Sequence, residues 1–405
     1  MENVPNIEEV SAEEKAQIVA QAKAIRALMY WHLTEAWDDV PLITTLLGPE
    51  ELQIPSNDAL DIYAQMVADL EEAADVLPEV WSGNDYGKIT SGAANALLAR
   101  VHLFFYGYHG VSDGAQRAAA ATQKIIDSGV YGLFPDYEQL FTQANEDSEE
   151  VVWSIRFSSD LSGNNAEGFS YSFNAVPQSN NYPLQNFVDA FYCTDGLPID
   201  QSPLYDPANY WENRDPRWDA TIVYQNEQWL ENRPPFNINP APRRTGYAID
   251  KYVINNNEGL IQGNGAQDWY VFRYADVLLM HAEALIETGN TGPEVYDLIN
   301  QVRQRVNMPT IESVEGSGLS AAELTDILRH ERRVELAFEN TRFMDLKRWG
   351  TMAEAYERSG GDTKIGRNNP ILSGVAYQGE RSIILPIPQQ ELDANINLEQ
   401  HPAWR

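Results

Sequence analysis

Apolar residues recur at steps of three and four through most of the first 130 positions, the spacing that gathers them on one face of an α-helix. Ile18, Ala22, Ile25, Met29, Leu33 and Ala36 make the first such stripe, and Pro41 closes it. Ile62, Met66, Leu70, Ala73 and Leu77 make a second ahead of Pro78. A third opens at Thr90, with Ser91 and Gly92 in its first turn and Ala94, Leu97, Leu98, Val101 and Phe104 along its face. A fourth, alanine-rich run covers residues 113–128 and stops at Gly129, a residue suited to the left-handed turn that ends many helices. Starts near residues 14, 58, 90 and 113 are too uneven for a strict repeat. Successive amphipathic pairs nevertheless predict a stack of tetratricopeptide-like hairpins.

Between about residues 135 and 268 the helical period fades, while Gly, Pro, Asn and aromatic residues accumulate. Residues 151–157 read as a short strand by residue type. The polar stretches 158–181 and 224–246 exceed ordinary connection lengths, which in a compact protein marks functional or disordered loops. Helical spacing resumes over 271–287, 294–306, 321–338 and 341–356. Leu385-Pro386-Ile387-Pro388 cannot continue a helix, because each proline lacks an amide hydrogen and restricts its predecessor. It is expected to be an extended strap packed on helices. The fold class is therefore mainly α, a tetratricopeptide-like helix-pair scaffold with an irregular loop-rich subdomain. Three segments are expected: hairpins over 1–134, a loop-rich region over 135–268, and helices with the strap over 269–405.

Charge narrows the partners. The 405 residues carry 60 acids against 28 bases, a net charge of −32, which opposes nucleic acid and anionic membranes. Such acidity serves solubility or suits a saline medium, where screening shortens self-repulsion. No stretch approaches the roughly 20 apolar residues a membrane-spanning helix needs. The single cysteine, Cys193, excludes an internal disulfide and is expected to pack as a small apolar side chain. The six histidines show no metal-ligand spacing, and no phosphate loop, nucleophile elbow or dinucleotide fingerprint occurs. No catalytic residue, metal or cofactor is assigned.

Glu331 and Glu335 continue the stripe of Leu324 and Leu328, so two carboxylates one turn apart fall on or beside a packing face. Burial is costly unless they are paired, and Arg332, Arg333, Arg342 and Arg348, with Arg273 earlier, supply cations. Structural ion pairing is favoured over the paired-carboxylate chemistry of glycosidases. Phe343, Leu346 and Trp349 fall three apart, enough to clamp one helix face, which makes Trp349 a core residue.

Several of these segments occur in an order that resembles the SusD/RagB family. They are Arg273-Tyr274-Ala275-Asp276-Val277-Leu278-Leu279-Met280, His330-Glu331-Arg332-Arg333-Val334-Glu335-Leu336-Ala337-Phe338-Glu339, Arg342-Phe343-Met344-Asp345-Leu346-Lys347-Arg348-Trp349-Gly350 and the Leu-Pro-Ile-Pro run. Earlier, Tyr182-Pro183-Leu184-Gln185-Asn186-Phe187 and Asn213-Arg214-Asp215-Pro216-Arg217-Trp218 extend the resemblance over nearly the whole chain. Members are helical, surface-exposed lipoproteins of Bacteroidota that capture glycans for a TonB-dependent outer-membrane transporter. The resemblance implies a non-catalytic glycan-binding protein on the extracellular face of the outer membrane, with a SusC-like partner. Family members begin with a secretory signal, a lipid-bearing cysteine and further helices. Against that pattern, Met1-Glu2-Asn3-Val4-Pro5 reads as a cut-in point.

Sugars present apolar faces edged by hydroxyls, so their receptors pair flat aromatic platforms with polar hydrogen-bonders. Aromatics set in polar loops are the candidates: Trp81, Tyr171, Phe173, Tyr182, Trp229 and Trp269. Each has the plainer alternative of plugging a loop onto the core. Trp31, Trp37, Trp153 and Trp218 read as core. The net charge favours a neutral polysaccharide or oligosaccharide over an anionic one, with a marine glucan such as laminarin ahead of starch-type α-glucan. A glycoside hydrolase on a helical scaffold and a protein-binding helical-repeat adaptor are the competing functions.

Overall fold

The structure is a computed structural model that describes residues 1–158, 182–228, 235–236, 245–253, 265–359 and 376–405. It forms two compact units, one of residues 1–130, 343–353 and 377–405, the other of residues 131–342 and 354–376.

The first unit is built on four helices: α1 (Ala12–Trp37), α2 (Ala59–Val76), α3 (Ser91–His109) and α4 (Gly114–Ser128). Each starts or stops at a residue suited to the task. Ser11, Asp58 and Thr90 accept backbone N–H groups in the first turns of α1, α2 and α3, and Gly129 ends α4 at φ 63°. Each helix packs on the next in the chain, giving two sequential hairpins. The expected stripes of α2 and α3 are buried. That of α1 is not: Ile18, Ile25, Met29 and Leu33 are exposed, and the core face is Ala20, Ala24, Ala27, Leu28, Trp31 and Thr34. Both faces of α1 carry helical spacing, and alanines admit the close approach that the bulkier stripe does not.

Trp31 packs edge-on against Phe104 at 5.0 Å, confirming it as core. Gly107 is fixed by crowding, since a Cβ there would lie 2.5 Å from the Arg348 carbonyl oxygen. Residues of the Leu-Pro-Ile-Pro strap bind the end of α1: the Leu385 amide donates to Ala36 O at 2.8 Å, and Trp37 Nε1 donates to Pro386 O at 3.1 Å. Trp37 is thus a half-buried anchor for the strap and not a core residue. The expected helix over 341–356 is two helices, Arg342–Arg348 and Met352–Ser359, broken where Gly350 takes φ 66°. Phe343 is exposed and Trp349 half-buried, while Met344, Leu346 and Lys347 turn inward, so the expected clamp of Phe343, Leu346 and Trp349 does not form.

The second unit joins small sheets to helices. Strand β1 (Val151–Ile155) pairs antiparallel with β4 (Trp269–Arg273), and β2 (Ile222–Val223) with β3 (Ala248–Ile249). Its helices include α5 (Tyr137–Leu140), α6 (Pro216–Asp219), α7 (Tyr274–Glu287), α8 (Pro293–Arg305) and α9 (Ala321–Glu335), with α7 packed on both α8 and α9. Two boundaries differ from expectation by three residues. Val271 belongs to β4, because pairing with β1 takes Trp269 to Arg273 as strand. Helix α9 stops at Glu335, and Phe338 and Asn340 follow in left-handed conformation at φ 60° each.

A buried ionic network occupies the centre of this unit. Glu335, with no exposed surface, accepts from Arg217 Nη1 and Arg273 Nη1 at 3.0 Å each and from Arg305 Nη2 at 2.5 Å. Glu331 pairs with Arg217, which Asp215 also grips through both oxygens. Glu150 and Glu339 bind Arg273, and Glu339 accepts from Lys251 Nζ at 2.5 Å. Burial disfavours the Glu335 anion, but Arg305, Arg273 and Arg217 outweigh it and hold its pKa well below the usual carboxylate range. At Glu331 burial prevails over Arg217 and the pKa is raised. The two glutamates are structural, as expected, but only Arg273 of the expected cations serves them. Arg332 pairs instead with Asp276, and Arg348 with Asp345. Cys193 is free and buried. No helix among the described residues is long and apolar enough to cross a membrane.

Candidate functional site

The loop chemistry of the second unit is set by its network. Asp215 caps α6 by accepting the Arg217 N–H, and Arg217 plunges into the ionic centre. Trp218, the next residue, is wholly buried. The chain then emerges at exposed Asp219, dips through buried Ile222 and Val223, and surfaces at Tyr224.

Rings follow the same gradient. Buried Trp218 lies against half-buried Tyr224 at 5.4 Å, and Tyr224 stacks on half-buried Trp211 at 5.2 Å with only 14° between planes. Tyr210 meets Trp211 edge-on at 5.1 Å. Arg214 fixes this corner by donating to the carbonyls of Tyr210, Val188 and Phe191, with its guanidinium 5.5 Å from the Trp218 ring. Beyond Tyr224 the chain turns at Asn226, φ 69°, and pairs back through Phe236 N to Glu227 O and Asn226 N to Phe236 O, each 2.8 Å. The result is a stacked aromatic pair on a braced support.

Carboxylates border the pair. Glu227 accepts the Tyr224 N–H at 2.9 Å. Burial, with Asp250, Asp219 and Glu138 nearby, pushes the Glu227 pKa up to about 8, and burial with Glu138 and Asp219 brings Asp250 up to about 7. Burial next to Glu227 and Asp219 raises the Tyr224 phenol to about 12. No lysine or arginine among the described residues pairs with any of these four acids. No group of three or more His, Cys, Asp and Glu among the described residues has metal-holding geometry.

Of the candidates read from sequence, Trp81 lies in the first unit, half-buried, with Nε1 donating to Ile89 O at 2.8 Å and Lys88 Nζ 5.2 Å from the ring centre. Exposed Ser82 and Asn84 follow it. Trp269 begins β4, stacks on buried Tyr252 at 5.2 Å and rests on the core cluster around Tyr270. Tyr182 is half-buried. Tyr171, Phe173 and Trp229 lie outside the described residues. Trp211 was missed, although Trp211-Glu212-Asn213 has the aromatic-amid-polar character that singled out Trp81; it directly adjoins a motif already assigned to the scaffold.

Comparison with known proteins places this architecture. The family model described as SusD family matches residues 149–404, and one described as starch-binding, associating with outer membrane, matches residues 1–103. SusD-like protein P25 of Formosa agariphila is 27% identical over 416 residues, covering 98% of this chain and 74% of that protein. The crystal structure of a SusD-like carbohydrate-binding protein from Bacteroides fragilis superposes with a TM-score of 0.85 at 25% identity, covering 98% of this chain and 82% of the other. A laminarin-binding SusD-like protein superposes with a TM-score of 0.72 at 27% identity, over 99% and 81%. With one family model spanning well over half its residues, the chain belongs to the SusD family.

Proposed function

We propose that this chain is a non-catalytic glycan-binding protein, acting on the extracellular face of the outer membrane and delivering oligosaccharide to a SusC-like TonB-dependent transporter. The observation that carries the binding role is the half-buried Trp211–Tyr224 stack, edged by carboxylates and seated on a buried support, in a chain whose solved relatives include carbohydrate-binding proteins. An aromatic face takes the apolar side of a pyranose while neighbouring acceptors and donors meet its hydroxyls. Trp81, Trp269 and Tyr182 are further candidate contacts, as are Trp229, Tyr171 and Phe173. Trp81 has hydrogen-bonders beside it, whereas much of Trp269 is engaged with Tyr252.

Neutral polysaccharide is the favoured ligand, with laminarin first, since the net charge of −32 repels polyanions and one structural relative is a laminarin-binding protein. Affinity gels and calorimetry with laminarin, an α-glucan, alginate and pectin test this. Laminarin is expected to bind, and Trp211→Ala to weaken it by roughly 1–3 kcal/mol, as for aromatic stacking on other flat ligands. Retardation by alginate alone would overturn the neutral-ligand reading. Release of shorter oligosaccharides from laminarin, followed by chromatography, would overturn the non-catalytic one. Co-purification with a SusC-like transporter tests delivery.

A further inference from the structure

We infer that the Trp211–Tyr224 platform reads two consecutive sugar units, one stacked on the Trp211 ring and the next held past the ring edge by the Trp211 Nε1–H, so that its ligand is a neutral chain of two or more units and not a single sugar. This rests on the platform being a glycan site, as proposed above, and adds the length of chain it selects and the group that reads it.

Three half-buried tryptophans fasten loops through their N–H groups. Nε1 of Trp37 donates to Pro386 O at 3.1 Å, that of Trp81 to Ile89 O at 2.8 Å and that of Trp404 to Ile384 O at 2.9 Å. Trp211 is also half-buried, yet its Nε1–H bonds to none of the described residues and is open to solvent. Its partner in the stack repeats the contrast. Tyr137 and Tyr270, in the same unit, donate their hydroxyls to Glu335 O and Leu140 O at 2.9 Å each, whereas the Tyr224 hydroxyl has no hydrogen bond to any described residue. Polar tips on such rings are ordinarily tied down, so two open tips on one stack leave donors for a ligand. The fold does not need them: Arg214 grips the Tyr210 carbonyl at 3.0 Å, and the Trp218 ring backs Tyr224 at 5.4 Å.

Geometry then sets the length of the ligand. The two rings are 5.2 Å apart with 14° between planes, so Tyr224 takes one face of the indole and at most the other is left to a pyranose. The N–H lies in the plane of the indole. A sugar stacked above that plane cannot accept from it in line, and hydrogen bonds weaken steeply below about 120°. The acceptor therefore stands beyond the rim of the ring, where a glycan chain carries its next unit. A neutral sugar suffices, because the N–H asks only for an oxygen.

NMR titration with glucose and laminaribiose, which reads millimolar affinities, tests this on the full chain and its Trp211→Phe, Trp211→Ala and Trp37→Phe variants. Laminaribiose is expected to bind about three- to tenfold more tightly than glucose, the worth of one net hydrogen bond. Trp211→Phe keeps a ring face but has no N–H, and should bring the two ligands to within about twofold of each other, the statistical advantage of two stackable units. Trp37→Phe, which loses an N–H that serves the strap, should keep the full preference. The ratio is read within one protein, so a partly folded fraction in any variant does not alter it. A Trp211→Phe chain that loses affinity for both ligands equally, with the preference intact, would show that stacking alone matters and would overturn the inference while the platform stands. Glucose binding as tightly as laminaribiose to the unaltered chain would do the same. If Trp211→Ala changes neither affinity, or neither ligand binds, the platform reading falls and the inference with it.

Discussion

Glu335→Gln is the sharpest test of what holds the second unit together. The side chain is completely buried and is shared by three guanidinium groups, two at 3.0 Å and one at 2.5 Å. The amide keeps the shape and one carbonyl oxygen. Its best orientation leaves that oxygen on Arg273 and Arg305, where Oε1 stands now, and turns the new NH₂ toward Arg217, donor against donor. Arg217 retains Asp215 and Glu331, so it is not stranded, but one negative charge is lost from the centre of the cluster. Removing one partner of a buried pair costs about 3–5 kcal/mol, because the remaining charges stay desolvated.

Urea unfolding followed by tryptophan fluorescence reads the total, provided the slope m is unchanged, and hydrogen exchange of α9 peptides localises it. Asp85→Asn is the control, since Lys88 and Asp85 are both half exposed and such a pair contributes about 0–1 kcal/mol. A loss below about 1 kcal/mol in Glu335→Gln, similar to the control, would mean that the network is effectively solvated and the argument from burial is wrong.

Three further outcomes follow from the same structure. Burial lowers Lys251 from 10.5 to about 8, so between those values the unfolded chain binds more protons and this group makes stability rise with pH; Lys251→Met should flatten that part of the profile measured by urea midpoints at pH 7.5 to 10. Thr90→Ala removes the acceptor for the Ala93 N–H at 3.1 Å and should cost about 1 kcal/mol, with faster exchange in the first turn of α3. Ile25→Glu and Met29→Glu, at positions about half exposed, should change unfolding by less than about 0.5 kcal/mol, whereas Ala24→Glu, fully buried, should prevent the hairpin of α1 and α2 from packing, seen as lost protection by hydrogen exchange.

The parts of the fold that were legible are those set by local rules. The α2 and α3 stripes, the stops of α2 and α4, and the proline strap follow from periodicity, capping and proline chemistry, which need no distant partner. Errors arose where a distant partner decided. Val271 fits a helical period, but β1 claims it as strand from over a hundred residues away. The buried glutamates were found on α9, yet their partners Arg217 and Arg305 lie 114 and 30 residues distant, and no spacing rule connects them. For the site, Trp229, Tyr171 and Phe173 fall outside the described residues, and Trp211 became visible only when Tyr224, thirteen positions on, was seen stacked upon it.

Helix α1 and the Trp211 corner make one physical point from opposite sides. On α1 the larger residues drew attention to Ile18, Ile25, Met29 and Leu33, whereas the packing face is mostly alanine, because close helix approach rewards small side chains on the inside. An apolar stripe identifies a helix more securely than it identifies which face is buried, and a helix apolar on both faces gives two answers of equal weight. At Trp211 the same ambiguity runs the other way. Trp211 and Trp218 sit seven positions apart, Trp218 closing the Asn213-to-Trp218 motif and Trp211 just ahead of it, and residue type alone does not separate them. Arg217, captured by Asp215, Glu331 and Glu335, holds its neighbour Trp218 inside, whereas Arg214 grips the chain beside Trp211 only through the Tyr210 carbonyl and leaves the Trp211 ring half-buried. The aromatics to test as glycan contacts in such a fold are therefore those that the buried charges do not pull in.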